Sequence, residues 1–197
     1  MTELKGLEPY VRTYLADTKT ALADAYLLEA MRRIVPLLLG ARTEGRTIFF
    51  FGNGGSASTA SHFVVDIGKA TIRGDGRRFR CVALVDNVES VTAWANDTEY
   101  SRVFSEQLRT LCQPGDVAVG ISGSGNSPNV LEAVKLARAL GLSTVGLTGM
   151  GGGKLKDLVD VPVVVPSNSM QHIEDVHLLL CHLLTAYLRD EQPSSGR

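Results

Sequence analysis

From Thr47 onward the chain repeats one pattern, a short apolar run followed by a longer segment with helical spacing. The apolar runs fall at 48–51, 81–85, 117–121, 144–147 and 161–165. They are continuously apolar rather than alternating, so they read as strands covered on both faces, and the connections between them are long enough for parallel pairing. Together these readings predict an α/β fold, a doubly wound three-layer α/β/α sandwich around a five-stranded parallel sheet. Ahead of this region Leu22, Tyr26, Leu28, Met31, Ile34, Val35 and Leu38 recur at helical spacing with charges between them, which predicts one or two extra N-terminal helices within 1–44. A closing helix is predicted over 171–188, and the tail 191–197, EQPSSGR, has the composition of a disordered terminus.

At 197 residues the chain is long enough for one compact domain, placed here at 1–190. Its formal net charge of -1 supplies no strong field for nucleic acid or an anionic membrane, so partners must be argued from sites. No apolar run approaches the ~18 residues of a membrane span, and the opening MTELKGLEPY lacks the basic and apolar regions of a signal peptide, which points to the cytoplasm. Cys81, Cys112 and Cys181 stand in apolar surroundings at unrelated spacings. They read as buried core thiols of a reducing compartment rather than as disulfides or a cysteine metal site.

In an open α/β sheet, ligands bind outside the carboxyl ends of the strands, where helix N-termini offer free N–H groups. Three loops occupy such positions. The first, GNGGSAST after Phe51, lets the backbone approach a ligand and offers Ser56, Ser58 or Thr59 as a helix cap. The second, ISGSGNSPNVLEAVKLA, presents the hydroxyls of Ser122, Ser124 and Ser127 around Gly123 and Gly125, with Pro128 suited to the first turn of a helix. Hydroxyls and helix-end amides without a lysine suit the phosphate monoester of a small molecule. The third, LTGMGGGKL, resembles a nucleotide P-loop but has the wrong spacing, and Leu155 follows Lys154 where Ser or Thr would hold magnesium. A dinucleotide fingerprint also fails after Phe51, with Asp86 the one candidate ribose ligand near Val85. A single glycine loop would be read as a tight turn. Two serine-rich loops in one sheet favour a ligand.

His62 and Asp66 are four residues apart on the helix expected after the first loop and share a face. The pair could bind a metal, divide acid and base work, or simply hydrogen-bond. Near the C-terminus QHIEDVHLLLCH carries Gln171, His172, Glu174, Asp175, His177 and His182 in an otherwise leucine-rich helix, where polar groups are costly to bury without partners. His172 reads as a surface or capping residue, and His177 stays open between that role and a site.

The run GNGGSASTASHF, the loop ISGSGNSPNV, the segment AWANDTEYSRVFSEQL, the stretch LTGMGGGKL and the helix IEDVHLLLCH together resemble the sugar isomerase (SIS) domain, specifically its phosphoheptose isomerase group. The resemblance covers nearly the whole chain with the motifs in order. It implies a flavodoxin-like sheet with extra N-terminal helices, a homotetramer with active sites between subunits, and conversion of sedoheptulose 7-phosphate to D-glycero-D-manno-heptose 7-phosphate. Carried over residue by residue, it implies substrate contacts at Asn53, Gly54, Gly55 and Ser56, at Asn96 and Asp97, and at a phosphate loop of Ser122, Gly123, Ser124 and Ser127. The family often has threonine where Gly123 stands. For one zinc ion per site the matching positions are His62, Asp66, Glu174 and His182. The family typically has glutamate at the position of Asp66 and glutamine at that of Glu174. Here the general base is one methylene shorter, and a second carboxylate adds charge that could strengthen metal binding or take part in proton transfer.

These assignments imply an aldose–ketose isomerase working through an enediol. Asp66 moves the proton between carbons, His182 exchanges one at oxygen, and Glu174 lies within the substrate site. The other class considered is a non-catalytic SIS-domain regulator, which binds the bacterial replication initiator protein or senses a sugar phosphate. A sensor joined to a DNA-binding module is disfavoured, because no helix-turn-helix or basic stretch accompanies the domain and no direct nucleic-acid contact is expected.

Overall fold

The computed structural model describes residues 6–190 apart from 23 and 75; the expected tail 191–197 lies outside the described residues. Two helices come first, α1 (Leu7–Ala21) and α2 (Asp24–Glu44). They are followed by β1 (Thr47–Gly52), α3 (Gly55–Val65), β2 (Arg80–Ala83), α4 (Val88–Asp97), α5 (Ser105–Leu111) and β3 (Val117–Ile121). The chain continues through α6 (Pro128–Ala139), β4 (Ser143–Thr148), α7 (Leu155–Leu158), β5 (Val161–Val164) and α8 (Met170–Asp190). All four strand pairings are parallel, in the order β2-β1-β3-β4-β5. The predicted runs coincide with the observed strands to within a residue or two at each end, and the closing helix extends slightly beyond its expected bounds.

The apolar runs are continuous because each strand feeds two cores. Ile48 and Phe50 of β1, with Val117 and Val119 of β3, face α2, α3 and α8. Phe49 and Phe51, with Ala118, face α5, α6 and α7. Successive side chains of a strand point to opposite faces, so a sheet buried on both sides needs apolar residues at every position. Phe50 stacks on Phe63 of α3 with ring centroids 4.9 Å apart, fixing α3 above β1, an arrangement worth about 0.5–1.5 kcal/mol beyond the area it buries. At the amino ends of the strands the buried Asp116 accepts hydrogen bonds from the backbone N–H of Thr47 (2.8 Å) and of Gln113 (2.8 Å), tying β1 to the turn before β3.

His172 and His177 are both buried, which corrects the surface or capping reading of His172. The ring of His172 meets Tyr14 of α1 edge-on at 4.4 Å, while Tyr14 donates to Asp175 (2.7 Å), so this end of α8 is the seat of α1. His177 Nε2 faces the carbonyl of Thr148 at the end of β4 (3.3 Å). Burial holds its pKa down at about 4, against a weaker opposing pull from that carbonyl. Among the described residues no helix is long and apolar enough to cross a membrane.

The depressed His177 value has a consequence for acid stability. The unfolded chain takes up this proton near pH 6.5 and the fold resists it down to about pH 4, so unfolding gains protons as the pH falls through that window. Wild-type stability should therefore decline from pH 6.5 to 4 by roughly 3 kcal/mol more than that of His177→Gln, compared by urea unfolding across the range. Parallel acid limbs would show that the buried imidazole does not govern this part of the curve.

Candidate functional site

The strand order reverses direction between β1 and β3, and the loops after these two strands lie side by side at the carboxyl edge of the sheet. This is the crevice where open α/β sheets bind ligands. Gly52 is paired with Ile121 at its floor, where a Cβ would come within 2.7 Å of the Ile121 carbonyl oxygen. The first loop enters α3 through Gly54, so the expected caps Ser56, Ser58 and Thr59 do not serve. Thr59 instead bonds back to the Gly55 carbonyl (3.2 Å), and Ser56 is buried. In the second loop Ser127 is the N-cap of α6 and Pro128 takes the first turn as expected.

The two loops enclose a cavity of about 240 Å³ lined by Asn53, Gly54, Gly55, Ser56, Ser122, Gly123, Ser124, Ser127 and Glu174, together with Ile121 and Met170. Most of the residues assigned to substrate from the sequence are thus brought to one depression. The hydroxyls of Ser122 and Ser127 meet at 3.0 Å, and Ser124 Oγ accepts from the Asn126 N–H (3.2 Å). Such a ring of small donors beside a helix N-terminus suits an anion. The Glu174 carboxylate lies against Gly55, where a Cβ would overlap it. A Cβ on Gly123 would overlap Met170 Sδ, so the methionine of α8 packs directly on this glycine.

Sequence reading missed the clamp between the loops. Asn53 Nδ2 donates to Asn129 Oδ1 (2.9 Å) and Asn129 Nδ2 returns the bond to Asn53 Oδ1 (2.8 Å), where the Tyr100 hydroxyl also donates (3.0 Å). Asn129 is fully buried, so this amide pair is well shielded and fixes the spacing of the phosphate-type loop from the first loop. The only signal in the sequence was an unremarked asparagine after Ser127-Pro128. Asn96 and Asp97 stand apart from the cavity, bonded to each other (2.9 Å) at the exposed end of α4.

The second cluster lies farther along α3. His62 Nε2 is 3.0 Å from His182 Nε2 and 3.3 Å from Asp66 Oδ2, and His182 Nε2 is 3.9 Å from the same oxygen. Asp66 begins a π turn, Asp66–Ala70, that follows α3 directly, and the buried Thr71 hydroxyl donates to the Ile67 carbonyl (2.6 Å) within it. The Cys181 sulfur also joins this group, with its atom and the donor atoms of His62 and Asp66 all within 4.8 Å of one another. Read from the sequence as core, Cys181 is indeed fully buried, but it is also the floor of this cluster. Burial first, and the Asp66 charge second, push its thiol up to about 12. Among the described residues the three cysteines are unpaired.

Zinc–nitrogen bonds of ~2.0–2.1 Å in a tetrahedron set neighbouring donors about 3.3 Å apart. Of the separations among His62, His182 and Asp66, 3.0 and 3.3 Å lie near that edge and 3.9 Å is wider by about 0.6 Å, and two imidazoles with a carboxylate are a donor set that zinc accepts. The residues present therefore fit such an ion.

Residues 13–149 match the family model of the SIS domain. The chain is 40% identical over 164 residues to a phosphoheptose isomerase of Paramagnetospirillum magneticum, covering 83% of this chain and 85% of that protein. It is 36% identical over 182 residues to a phosphoheptose isomerase of Aliarcobacter butzleri, covering 92% and 96%. The solved structure of the phosphoheptose isomerase GmhA from Neisseria gonorrhoeae superposes with a TM-score of 0.86 at 34% identity, covering 93% of this chain and 99% of that one.

The cavity makes a sharp demand at Gly125, whose φ of 64° is left-handed and whose Cβ would overlap the Gly152 carbonyl oxygen. Gly125→Ala should abolish calorimetrically detectable phosphate-ester binding. Ser122→Ala should weaken it by roughly 10- to 100-fold, the worth of one hydrogen bond to a charged group. Unchanged binding in both would remove this loop as the anion site.

Proposed function

The chain belongs to the SIS-domain family and, within it, to the phosphoheptose isomerases, and from that premise we propose that it is an aldose–ketose isomerase converting sedoheptulose 7-phosphate to D-glycero-D-manno-heptose 7-phosphate. The observation that carries the reading is the placement of two unlike sites on one helix. The serine-lined cavity meets α3 at Gly55, and His62 follows seven residues later, about 10 Å along the axis. A phosphate held at the first position leaves the far end of an open-chain sugar to reach the second.

In this reading Ser122, Ser124 and Ser127 anchor the phosphate, with Gly123 and the first-loop residues Gly54, Gly55 and Ser56 shaping the path of the sugar. Asn53 holds the loops in register through Asn129. Asp66 takes the proton from the carbon beside the carbonyl and returns it to the neighbouring carbon, and His182 exchanges a proton at oxygen as the enediol forms and collapses. The atoms balance within the substrate, so no redox partner is consumed. His62, Asp66 and His182 would hold zinc, one ion per site, with Glu174 as a further candidate from the family pattern. Bound zinc would polarise the carbonyl and hydroxyl oxygens of the sugar and lower the cost of negative charge developing there. Being shorter than the family's glutamate, Asp66 relies on the π turn beneath it for its position beside both imidazoles.

We further propose one domain over 1–190 that assembles as a homotetramer with sites completed between subunits. Supporting this are the exposed apolar side chains of α1, α2 and α8, among them Tyr10, Leu15, Leu28 and Leu183, and an open apolar groove of about 550 Å³ between α2 and α8. Asn96 and Asp97, which are exposed and do not line this cavity, are then available to a neighbour's sugar. The unpaired cysteines support a reducing, cytoplasmic setting. A regulator that only docks a protein partner has no use for two imidazoles and a carboxylate gathered beside a phosphate-type cavity, which weighs for the enzyme.

With zinc added, the protein should convert sedoheptulose 7-phosphate to an aldose phosphate, followed by chromatography of the product. Asp66→Ala and His182→Ala should each lower kcat by roughly 10²- to 10⁴-fold. A wild type that makes no aldose phosphate, or alanine variants of undiminished rate, would sink the proposal.

A further inference from the structure

Three segments of the chain meet at the Asn53 side chain, in the wall of the serine cavity. Its Oδ1 accepts from Asn129 Nδ2 (2.8 Å) and from the Tyr100 hydroxyl (3.0 Å), and its Nδ2 donates to Asn129 Oδ1 (2.9 Å). Which end of each amide faces which partner is decided by the backbone. The N–H of Val130, in the first turn of α6, can only donate, and it donates to Asn129 Oδ1 (3.0 Å). Asn129 must therefore turn its Nδ2 toward Asn53, Asn53 must answer with Oδ1, and the Tyr100 hydroxyl, which could act either way, is left to donate. Both acceptor sites of the Asn53 oxygen are then taken, and one of its two N–H groups is engaged by Asn129. The second N–H is unpaired among the described residues, on a side chain that lines the cavity.

Building on the sugar-phosphate reading above, we propose that Asn129 and Tyr100 are positioning residues that lock the Asn53 amide as a hydrogen-bond donor to an acceptor oxygen of the sugar chain. An amide free to turn over would present its carbonyl as readily as its N–H, and a substrate carbonyl can pair with the N–H alone. A donor held in place beforehand needs no reorganisation when the substrate arrives. The two bonds accepted by the Asn53 carbonyl also polarise the amide and strengthen its N–H as a donor. This role is separate from the spacing of the loops, because the phosphate end is served by the serine hydroxyls and the start of α6. Tyr100 stands in the short turn Tyr100–Arg102 between α4 and α5, and it lines a second depression of about 180 Å³, with Val88, Val91 and Phe104, that shares Asn53 and Gly54 with the serine cavity. A phenylalanine would keep that seat and lose only the hydroxyl.

Calorimetric titration of the full-length protein with sedoheptulose 7-phosphate and, separately, with inorganic phosphate distinguishes orientation of the amide from spacing of the loops. Tyr100→Phe should weaken sedoheptulose 7-phosphate by roughly 2- to 10-fold, the worth of one neutral hydrogen bond, and leave inorganic phosphate unchanged. In an Asn53→Ala background, where the serine loop still anchors the phosphate, the same substitution should cause no further loss, because Tyr100 acts through Asn53. Asn129→Ala should also weaken the sugar phosphate, and the Tyr100 series stands on its own if that buried change prevents folding. Equal losses for both ligands, an unchanged affinity of Tyr100→Phe for the sugar phosphate, or additive losses in the double variant would each overturn the inference and leave the isomerase reading to its product assay. Where the wild type binds inorganic phosphate too weakly to titrate, the double variant decides alone. A wild type that binds neither ligand overturns the inference and the substrate reading together.

Discussion

The parallel pairing of β1 with β3, closed at its carboxyl end by Gly52 against Ile121, is the constraint on which the site depends. A side chain at Gly52 would push the strands apart where the chain leaves the sheet in two directions. With glycine there, the first loop and the serine loop lie side by side, and the Asn53–Asn129 amide pair can form across them. Neither loop is a pocket alone. The topological reversal between two adjacent strands makes them walls of one cavity.

The site divides labour according to what each backbone setting can supply. Loops of glycine and serine provide close approach and neutral donors, which suits a phosphate whose charge does not change during reaction. Helices α3 and α8 carry the ionisable groups, because side chains one or two turns apart on packed helices keep fixed mutual distances. The stack of Phe63 on Phe50 and the burial of Cys181 and Leu184 hold these helices against the sheet, and the convergence of His62, Asp66 and His182 follows from that packing. His177, on the same helix, is spent on the fold, its imidazole kept neutral against the end of β4.

Two local packing details flank the site. Met170 lies where a Cβ on Gly123 would point. The π turn at Asp66–Ala70 starts at the Asp66 carboxylate and is braced by Thr71. Both leave the sheet and its switch point untouched.

The five strands and most of their helices were legible because period and continuity of apolar residues report directly on how many faces of an element are buried. The serine loop was legible as a strand-to-helix turn at the carboxyl edge of the sheet, since serine, glycine and a first-turn proline favour that geometry. Less legible were the groups whose role depends on which neighbour they meet: Asn129, Tyr100, His172 and Cys181 carry no local pattern that separates core from site. Glu174 lies against Gly55, while the sulfur that looked like core forms the floor of the ionisable cluster. By itself, the sequence determined the α/β class, the strand bounds, the loops and the candidate donors, all properties of short-range periodicity and residue chemistry. Only the tertiary structure decided which donors share a volume, because contacts between α3 and α8, more than a hundred residues apart in the chain, are set by packing on the sheet rather than by spacing along the chain.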